Sequence, residues 1–540
     1  MTDQQHARPD RDDHRRDFRL SRADLLRGTA GAMLAASPLL AAACGGGSST
    51  SASTSGSSGG TPVKGGTLRA GFVGGGTAET LNPLIGITPI DQGRIQNLYD
   101  PLVIVNPDLS TSPGLALEWN PNSDATEYEV KLRPGVTWHN GKSFGADDVI
   151  YSIQQMAKKT SFAVPFVATI DLNGLKKVND LTVKIPLTQP DADLAANFTY
   201  YNTWIIQNGE TDFKNPVGTG PFMASSFTPG QQSIFKRNPN YWMPGGKPYV
   251  DELKIVSITD NNARLNALLS GQIDAMAQLP TASAKAHATT GDMQVLAGHS
   301  PQPMMFYMDT TKAPFNDNNV RMAIKLIADR QALIDGALNG YGRLGNDIVG
   351  AGLQWYDSDI PQRQQDLEQA KSLLQKAGQS NLTVQLQTSQ IFPGFVESAT
   401  LLAEQAKGAG VTMNLKQEPA NAYYNPSLLY LKMPFAETQW AITSMKFFYL
   451  QALAKDAPYN ETHWNDANFS KLLTQAIGET DSTKAQDLWN QVQQIQYDQG
   501  GYLNWTNADW VDGLANSVKG MSPSGAGALG NMTFMNAWLA

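Results

Sequence analysis

Residues 217–242, VGTGPFMASSFTPGQQSIFKRNPNYW, decide how the rest of the chain is read. Gly218 and Gly220 flank Thr219, and Pro221 fixes its own φ, so the backbone here can approach another surface closely. Residues 223–227 and 233–236 alternate between apolar and polar, which predicts two paired strands with Pro229-Gly230 as their turn.

Outward from this hairpin the pattern mixes helix and strand. Downstream, 248–258 reads as a strand, 262–270 as a helix stopped by Gly271, and 272–275 as a short strand. Upstream, 66–72 alternates as a first strand, 90–99 is helical, and 127–132 is a strand leading into Trp138-His139-Asn140-Gly141. A helix from about Gly145 puts Ala146, Val149, Ile150, Ile153 and Met156 on one face. Ser143 is its expected N-cap, and Asp147 and Asp148 suit the first turn. Residues 171–186 read as a hairpin turning at 178–180. Further on, Val320, Ile324, Ile327, Ile334 and Leu338 recur at helical spacing between an Asn-rich start and Gly340. Helices at 366–378, 397–409, 466–479 and 483–499 alternate with strands at 304–308, 383–388 and 411–417, which implies an α/β lobe. A chain of 540 residues exceeds what one hydrophobic core supports, so two or three lobes are expected.

Charged residues make up 17% and the net charge is −8, which argues against binding a nucleic-acid backbone. There is no G-x-S-x-G elbow and no H-E-x-x-H. After the first 43 residues the histidines are His139, His287, His299 and His463. His139, alone in a turn, reads as structural rather than as a metal ligand, and Asp147-Asp148 as helix capping. No catalytic residue, metal or cofactor is therefore expected.

Cys44 is the sole cysteine. Arg15, Arg16, Arg19, Arg22 and Arg27 precede a weakly apolar run at 28–43, too short to span a bilayer but suited to a signal-peptide core. Leu40-Ala41-Ala42-Ala43-Cys44 resembles a bacterial lipobox, which would acylate Cys44. Two or three acyl chains, at about 0.8 kcal/mol per buried methylene, would then hold the protein on a membrane. Residues 20–27, LSRADLLR, resemble a twin-arginine motif with Ala23 in place of the second Arg, which leaves the export route open. With Cys44 used for the anchor, disulfides and thiolate metal sites are excluded from the folded part. Residues 45–60, GGGSSTSASTSGSSGG, form a flexible tether.

VGTGPF followed by KRNPNYW resembles the signature of bacterial extracellular solute-binding proteins of family 5, the dipeptide/oligopeptide type that serves ABC importers. Other stretches match in order. Leu98-Tyr99-Asp100-Pro101-Leu102 resembles the family's YEPL element. Residues 314–325, PFNDNNVRMAIK, are similar to PPFDDVRVRQAI, and 366–378, DLEQAKSLLQKAG, to DPEKAKALLAEAG. Val518-Lys519-Gly520-Met521 is similar to a late VKGL strand. The resemblance implies an α/β fold of the type II periplasmic-binding-protein class, two α/β lobes with a hinge plus a small inserted domain. The expected division is 1–43 signal peptide with lipobox, 44–64 tether, 65–106 lobe I, 107–216 inserted domain, 217–300 lobe I again, 301–508 lobe II and 509–540 lobe I. The expected function is capture of a peptide or other small polar solute between the lobes and delivery to permease subunits. The expected form is a monomer, lipid-anchored on the extracytoplasmic face of the membrane. A solute sensor or a surface hydrolase on the same fold is the alternative.

The resemblance also points to the ligand contacts. Thr77 and Asn82 lie on the loop after the first strand, where the family carries LDP or LNP at the cleft edge. Peptide-binding relatives carry, near 439–453, an Asp that pairs with the peptide ammonium. Here QWAITSMKFFYLQAL supplies no acid between Glu437 and Asp456. Lys446 instead suggests an anionic or neutral polar ligand, with Trp440, Ser444, Phe447 and Phe448 expected beside it. A solvated Lys446 and aromatics in the core form the competing reading.

Overall fold

The computed structural model describes residues 60–540. The leader, Cys44 and most of the tether lie outside the described residues. Two open sheets organise the rest. A seven-stranded sheet runs in the order Gln294–Gly298, Trp510–Leu514, Ala275–Met276, Thr67–Phe72, Glu252–Ser257, Gln232–Arg237, Phe222–Thr228. A six-stranded sheet runs Gly342–Leu344, Tyr502–Ala508, Pro303–Met308, Phe435–Gln439, Thr383–Thr388, Thr412–Gln417. The chain crosses from the first to the second through residues 299–302, and returns through Asp509. Inside the first half, Ala116–Pro121, Glu127–Leu132, Thr182–Pro186 and Lys176–Asn179 form a separate four-stranded antiparallel sheet. Its Val130 and Ile185 belong to the same continuous apolar core as Leu68 and Phe72, whereas the six-stranded half has a core of its own.

The hairpin forms as Phe222–Thr228 and Gln232–Arg237, with a bulge between Ala224 and Ser226. The loop before it explains its glycines. A Cβ on Gly218 would sit 1.6 Å from the Leu98 carbonyl oxygen, and one on Gly220 would sit 2.6 Å from the Leu98 carbonyl carbon. The backbone is thereby pressed against the end of helix Pro89–Leu98. There the Asp100 carboxylate accepts hydrogen bonds from Thr219 Oγ1 (2.8 Å), Tyr241 OH (3.0 Å) and Trp242 Nε1 (2.8 Å). Burial pushes the Asp100 carboxyl upward, and these three donors with nearby Arg133 oppose it. Arg133 itself lies 4.5 Å above the Trp242 ring.

His139 closes the same junction. Gly218 N donates to its Nδ1 (3.1 Å), so the proton is on Nε2, which donates to Gly220 O (3.0 Å). Burial pushes its pKa down to about 4, with the Gly220 carbonyl opposing.

Two local expectations are corrected. Helix Ala146–Met156 is capped at Gly145, whose N–H donates to the Asp148 side chain (2.9 Å), and not at Ser143, which bridges to Thr137 instead. The apolar run from Val320 to Leu338 is two helices, Asn318–Ile327 and Arg330–Leu338. Asp329 breaks it by accepting from Ala332 N (3.0 Å), which starts a new N-terminus. Arg330 then turns inward to Asp347 (2.8 Å), shared with Arg363 (2.7 Å). Burial pushes the Asp347 carboxyl up, but Arg330, Lys325 and Arg363 overcome it and hold the carboxyl below its ordinary value. Lys325 and Arg363 also donate to Tyr497 O, and Arg321 to Gln499 O, so cations collect at the carbonyl end of helix Ser482–Gln499.

Gly218→Ala is expected to destabilise the protein by about 3 kcal/mol or more, because the colliding atom is backbone and cannot rotate away; thermal unfolding by circular dichroism measures it. A second expectation concerns pH. The folded form excludes a proton from His139, so this contribution is intact above the ordinary histidine pKa and fades as pH falls toward 4. The difference in melting temperature between the wild type and His139→Gln should therefore shrink over that window, each pKa unit corresponding to about 1.4 kcal/mol.

Candidate functional site

Strand Phe435–Gln439 lies inside the six-stranded sheet, and the chain leaves it at Trp440 into a short helix, Met445–Phe448, that widens into a π turn over Tyr449–Leu453. π turns concentrate at functional sites. This segment carries the two halves' closest polar contact. Lys446 Nζ lies 2.8 and 2.9 Å from the two Asp191 carboxylate oxygens and 2.5 Å from Asp193 O. Both side chains are almost wholly buried, at 3% and 5% exposure. Asp191 and Asp193 follow strand Thr182–Pro186 of the four-stranded sheet, so the pair spans from one half to the other.

The contact extends on both sides of that pair. The Phe447 ring stacks on Phe166 at 4.6 Å and 15°, and Phe166 stacks on Tyr200 at 4.4 Å. Thr199 Oγ1 donates to Thr443 Oγ1 (3.4 Å), and Ala192 N to Ile477 O (2.7 Å). Beside the ion pair, Asp193, Gln354, Trp355, Glu479 and Trp489 line a cavity of about 210 Å³. Burial pushes the Asp193 carboxyl up, and Lys446 draws it back. Burial also raises the Tyr201 hydroxyl to about 12, so it stays protonated while accepting from Tyr200 OH (2.9 Å).

The structure distributes the expected site residues among three settings. Lys446 and Phe447 stand at the contact between halves, with Ser444 half-buried at the N-terminus of their helix. Lys446 is neither solvated nor unpaired, since its acid comes from Asp191, 255 residues earlier. Trp440 and Phe448 belong to the core of the six-stranded half. The Trp440 indole donates to Glu461 (3.2 Å), and its ring meets Phe448 edge-on at 5.1 Å. Thr77 is exposed on the turn Gly76–Ala78. Asn82 shapes a turn, its Oδ1 accepting from Leu84 N (2.9 Å) and its carbonyl from Gly86 N (3.0 Å). The next residue's carbonyl, Pro83 O, receives Asn202 Nδ2 (2.7 Å), which ties the Asn82 turn to the Tyr200-Tyr201 loop. Asp191, Asp193, Phe166, Thr199 and Tyr200 were not anticipated, because nothing local in a Pro-Asp-Ala-Asp loop or a Tyr doublet announces a partner so distant in sequence.

No group of three or more His, Cys, Asp or Glu among the described residues is placed to hold a metal ion. No helix among them is long and apolar enough to cross a membrane.

Two α/β halves, joined by two crossovers and meeting again at a polar and aromatic contact, have the architecture of a two-lobed periplasmic binding protein. Residues 110–460 match the model of bacterial extracellular solute-binding proteins, family 5 Middle, and the chain belongs to that family. It is similar to the probable D,D-dipeptide-binding periplasmic protein of Escherichia coli, 24% identical over 82% of this chain and 89% of that protein. It is also similar to heme-binding protein A of Haemophilus influenzae, 25% identical over 80% of this chain and 85% of that one. Among solved structures, HbpA2 from Haemophilus parasuis superposes with a TM-score of 0.77 at 21% identity, over 88% of this chain and all of its own. Members of this family are substrate-binding proteins.

Two sets of substitutions at the buried pair give the site's first test. Asp191→Asn leaves the Lys446 charge without its carboxylate, a change that costs about 3–5 kcal/mol where the group stays buried. The substrate-saturated protein is expected to avoid that cost by parting the two halves, seen in solution scattering as a larger radius of gyration than that of the substrate-saturated wild type. Asp191→Leu combined with Lys446→Met is expected to recover most of the compactness. Unchanged scattering in Asp191→Asn would refute a bridging role.

Proposed function

We propose that this chain is the extracytoplasmic substrate-binding component of an ABC importer, which captures a peptide or other small polar solute between its lobes and passes it unchanged to a membrane permease. The lobe division follows the two crossovers: 65–106, 217–300 and 509–540 in one lobe, 107–216 as its inserted domain, and 301–508 in the other. The observation that carries the reading is that the two halves are joined by two crossovers and meet again at the buried Lys446–Asp191 pair, which supplies the parts of a hinge and a closing edge.

The solute contacts follow from what the closing edge leaves unsatisfied. With the Lys446 charge already matched by Asp191, a solute need not supply an anion. Phe447 offers a stacking face, and Ser444, Thr77 and Asn82 offer neutral hydrogen-bonding groups, which favours an uncharged or zwitterionic polar solute. Trp440 and Phe448 act from behind, fixing the segment that carries Ser444 and Phe447. One relative's name gives a dipeptide and another's gives heme, so membership of the family leaves the solute class open. Acylation at Cys44 would keep a monomeric receptor on the outer face of the membrane beside its permease. No catalytic step is assigned to any residue.

The decisive experiment is mass spectrometry of whatever co-purifies from the native host, followed by scattering with and without that solute. A solute recovered unchanged, and a radius of gyration that falls when it is added, support the proposal. A solute recovered with altered mass, or a shape indifferent to it, would overturn it.

A further inference from the structure

Arginines in the interior of this protein are matched. Arg94 meets Glu79 and Asp91, Arg330 and Arg363 share Asp347, and Arg321 donates to two carbonyls. Half-buried Arg343 differs in that none of its guanidinium nitrogens makes a hydrogen bond among the described residues. It is the middle residue of strand Gly342–Leu344 at the edge of the six-stranded sheet, facing Asn507 in register. Its Nε is buried without a partner, as are those of Arg94, Arg264 and Arg321, but unlike theirs its Nη groups also find no partner, and no carboxylate among the described residues lies within ion-pair distance.

Arg343 lines a cleft of about 300 Å³ together with Asp108, Leu109, His299, Gly352 and Gly525, beside both crossovers. The acids nearby are already engaged. Asp108 accepts from Ser110 N (3.1 Å) and Ser110 Oγ (2.6 Å), and Asp509 from His299 Nδ1 (2.9 Å). Asp509 also feels the Arg343 charge, but neither acid hydrogen-bonds the guanidinium, whose donors are left for an occupant. Gly352 keeps the approach clear: at φ +87° it has no side chain, and a Cβ there would lie 3.0 Å from Leu109 and 3.9 Å from Arg343 Nη2.

We infer that this cleft is a binding site for a small carboxylate-bearing solute, held by the Arg343 guanidinium. A planar fork of donors matches a carboxylate in two parallel hydrogen bonds, which an ammonium cannot do. The site is distinct from the Lys446 contact and does not rest on the importer reading. Arg343 and Gly352 come from the six-stranded half, whereas Asp108, His299 and Gly525 come from the other. An occupant touching both halves therefore favours the arrangement in which they meet here, by its better contacts in that state.

The test uses the purified full-length protein and acetate as probe, followed by saturation-transfer difference NMR at constant ionic strength. Acetate should give a saturable signal, and Arg343→Gln should weaken it at least tenfold. Arg343→Lys, which keeps the charge and loses the fork, should fall between the two and remains informative if the glutamine variant folds poorly. A parallel titration with inorganic phosphate separates the two anion classes. No saturable acetate signal, equal affinity in Arg343→Gln, or phosphate binding where acetate does not would each overturn the assignment.

Discussion

The Asp100 carboxylate is the point through which the first half of the molecule holds together. It follows helix Pro89–Leu98, and its donors come from the loop at Thr219 and from Tyr241 and Trp242 beyond the hairpin. Between Asp100 and Thr219 the chain makes the whole four-stranded excursion and returns. Without Gly218 and Gly220 the returning backbone could not lie against Leu98, and the three donors would not reach the carboxylate. Close backbone approach comes first, and hydrogen bonding to a buried charge then makes it specific. The VGTGPF and NPNYW segments are thus one structural device, which is why they mark the fold so strongly.

The six-stranded half solves a different problem. Its core surrounds a helix end, and cations in place of water meet the carbonyls there. Lys325, whose pKa burial lowers to about 7, sits with Arg321 and Arg363 at the last turn of Ser482–Gln499, and Asp347 balances part of their charge. Such a cluster is costly to bury singly and is tolerated because each of these cations reaches at least one carbonyl or carboxylate. It fixes how Asn318–Ile327 and Arg330–Leu338 sit against the sheet, and so the edge strand on which Arg343 stands.

The fold was legible where its causes are local. Alternation over the 222–237 hairpin, the apolar face of the helix within 366–378 and the glycine after Asn261–Leu269 are all written within a few residues of what they specify. Ser143 and the single long helix were misread because two local signals competed and tertiary context chose between them: Asp148 reaches back to Gly145, and a buried Arg330 draws the chain inward after Asp329. The site was the least legible. Lys446 could be singled out as an unusual cation, but its acid lies 255 residues away, and the aromatic ladder through Phe166 and Tyr200 has no spacing that a sequence displays.

What this contact can contribute energetically bears on how such a receptor responds to its solute. A buried ion pair loses about as much in desolvation as it gains in attraction, so Lys446 and Asp191 supply register more than net stability. Stacking of Phe447 on Phe166 adds about 0.5–1.5 kcal/mol beyond its buried area. Converting a population from 1% to 99% closed requires about 5.5 kcal/mol of differential binding. The protein's own contact falls short of that, and the remainder has to come from the solute. A closing edge that is specific in geometry but weak in energy leaves the decision to close with the ligand, and lets the lobes part again for release.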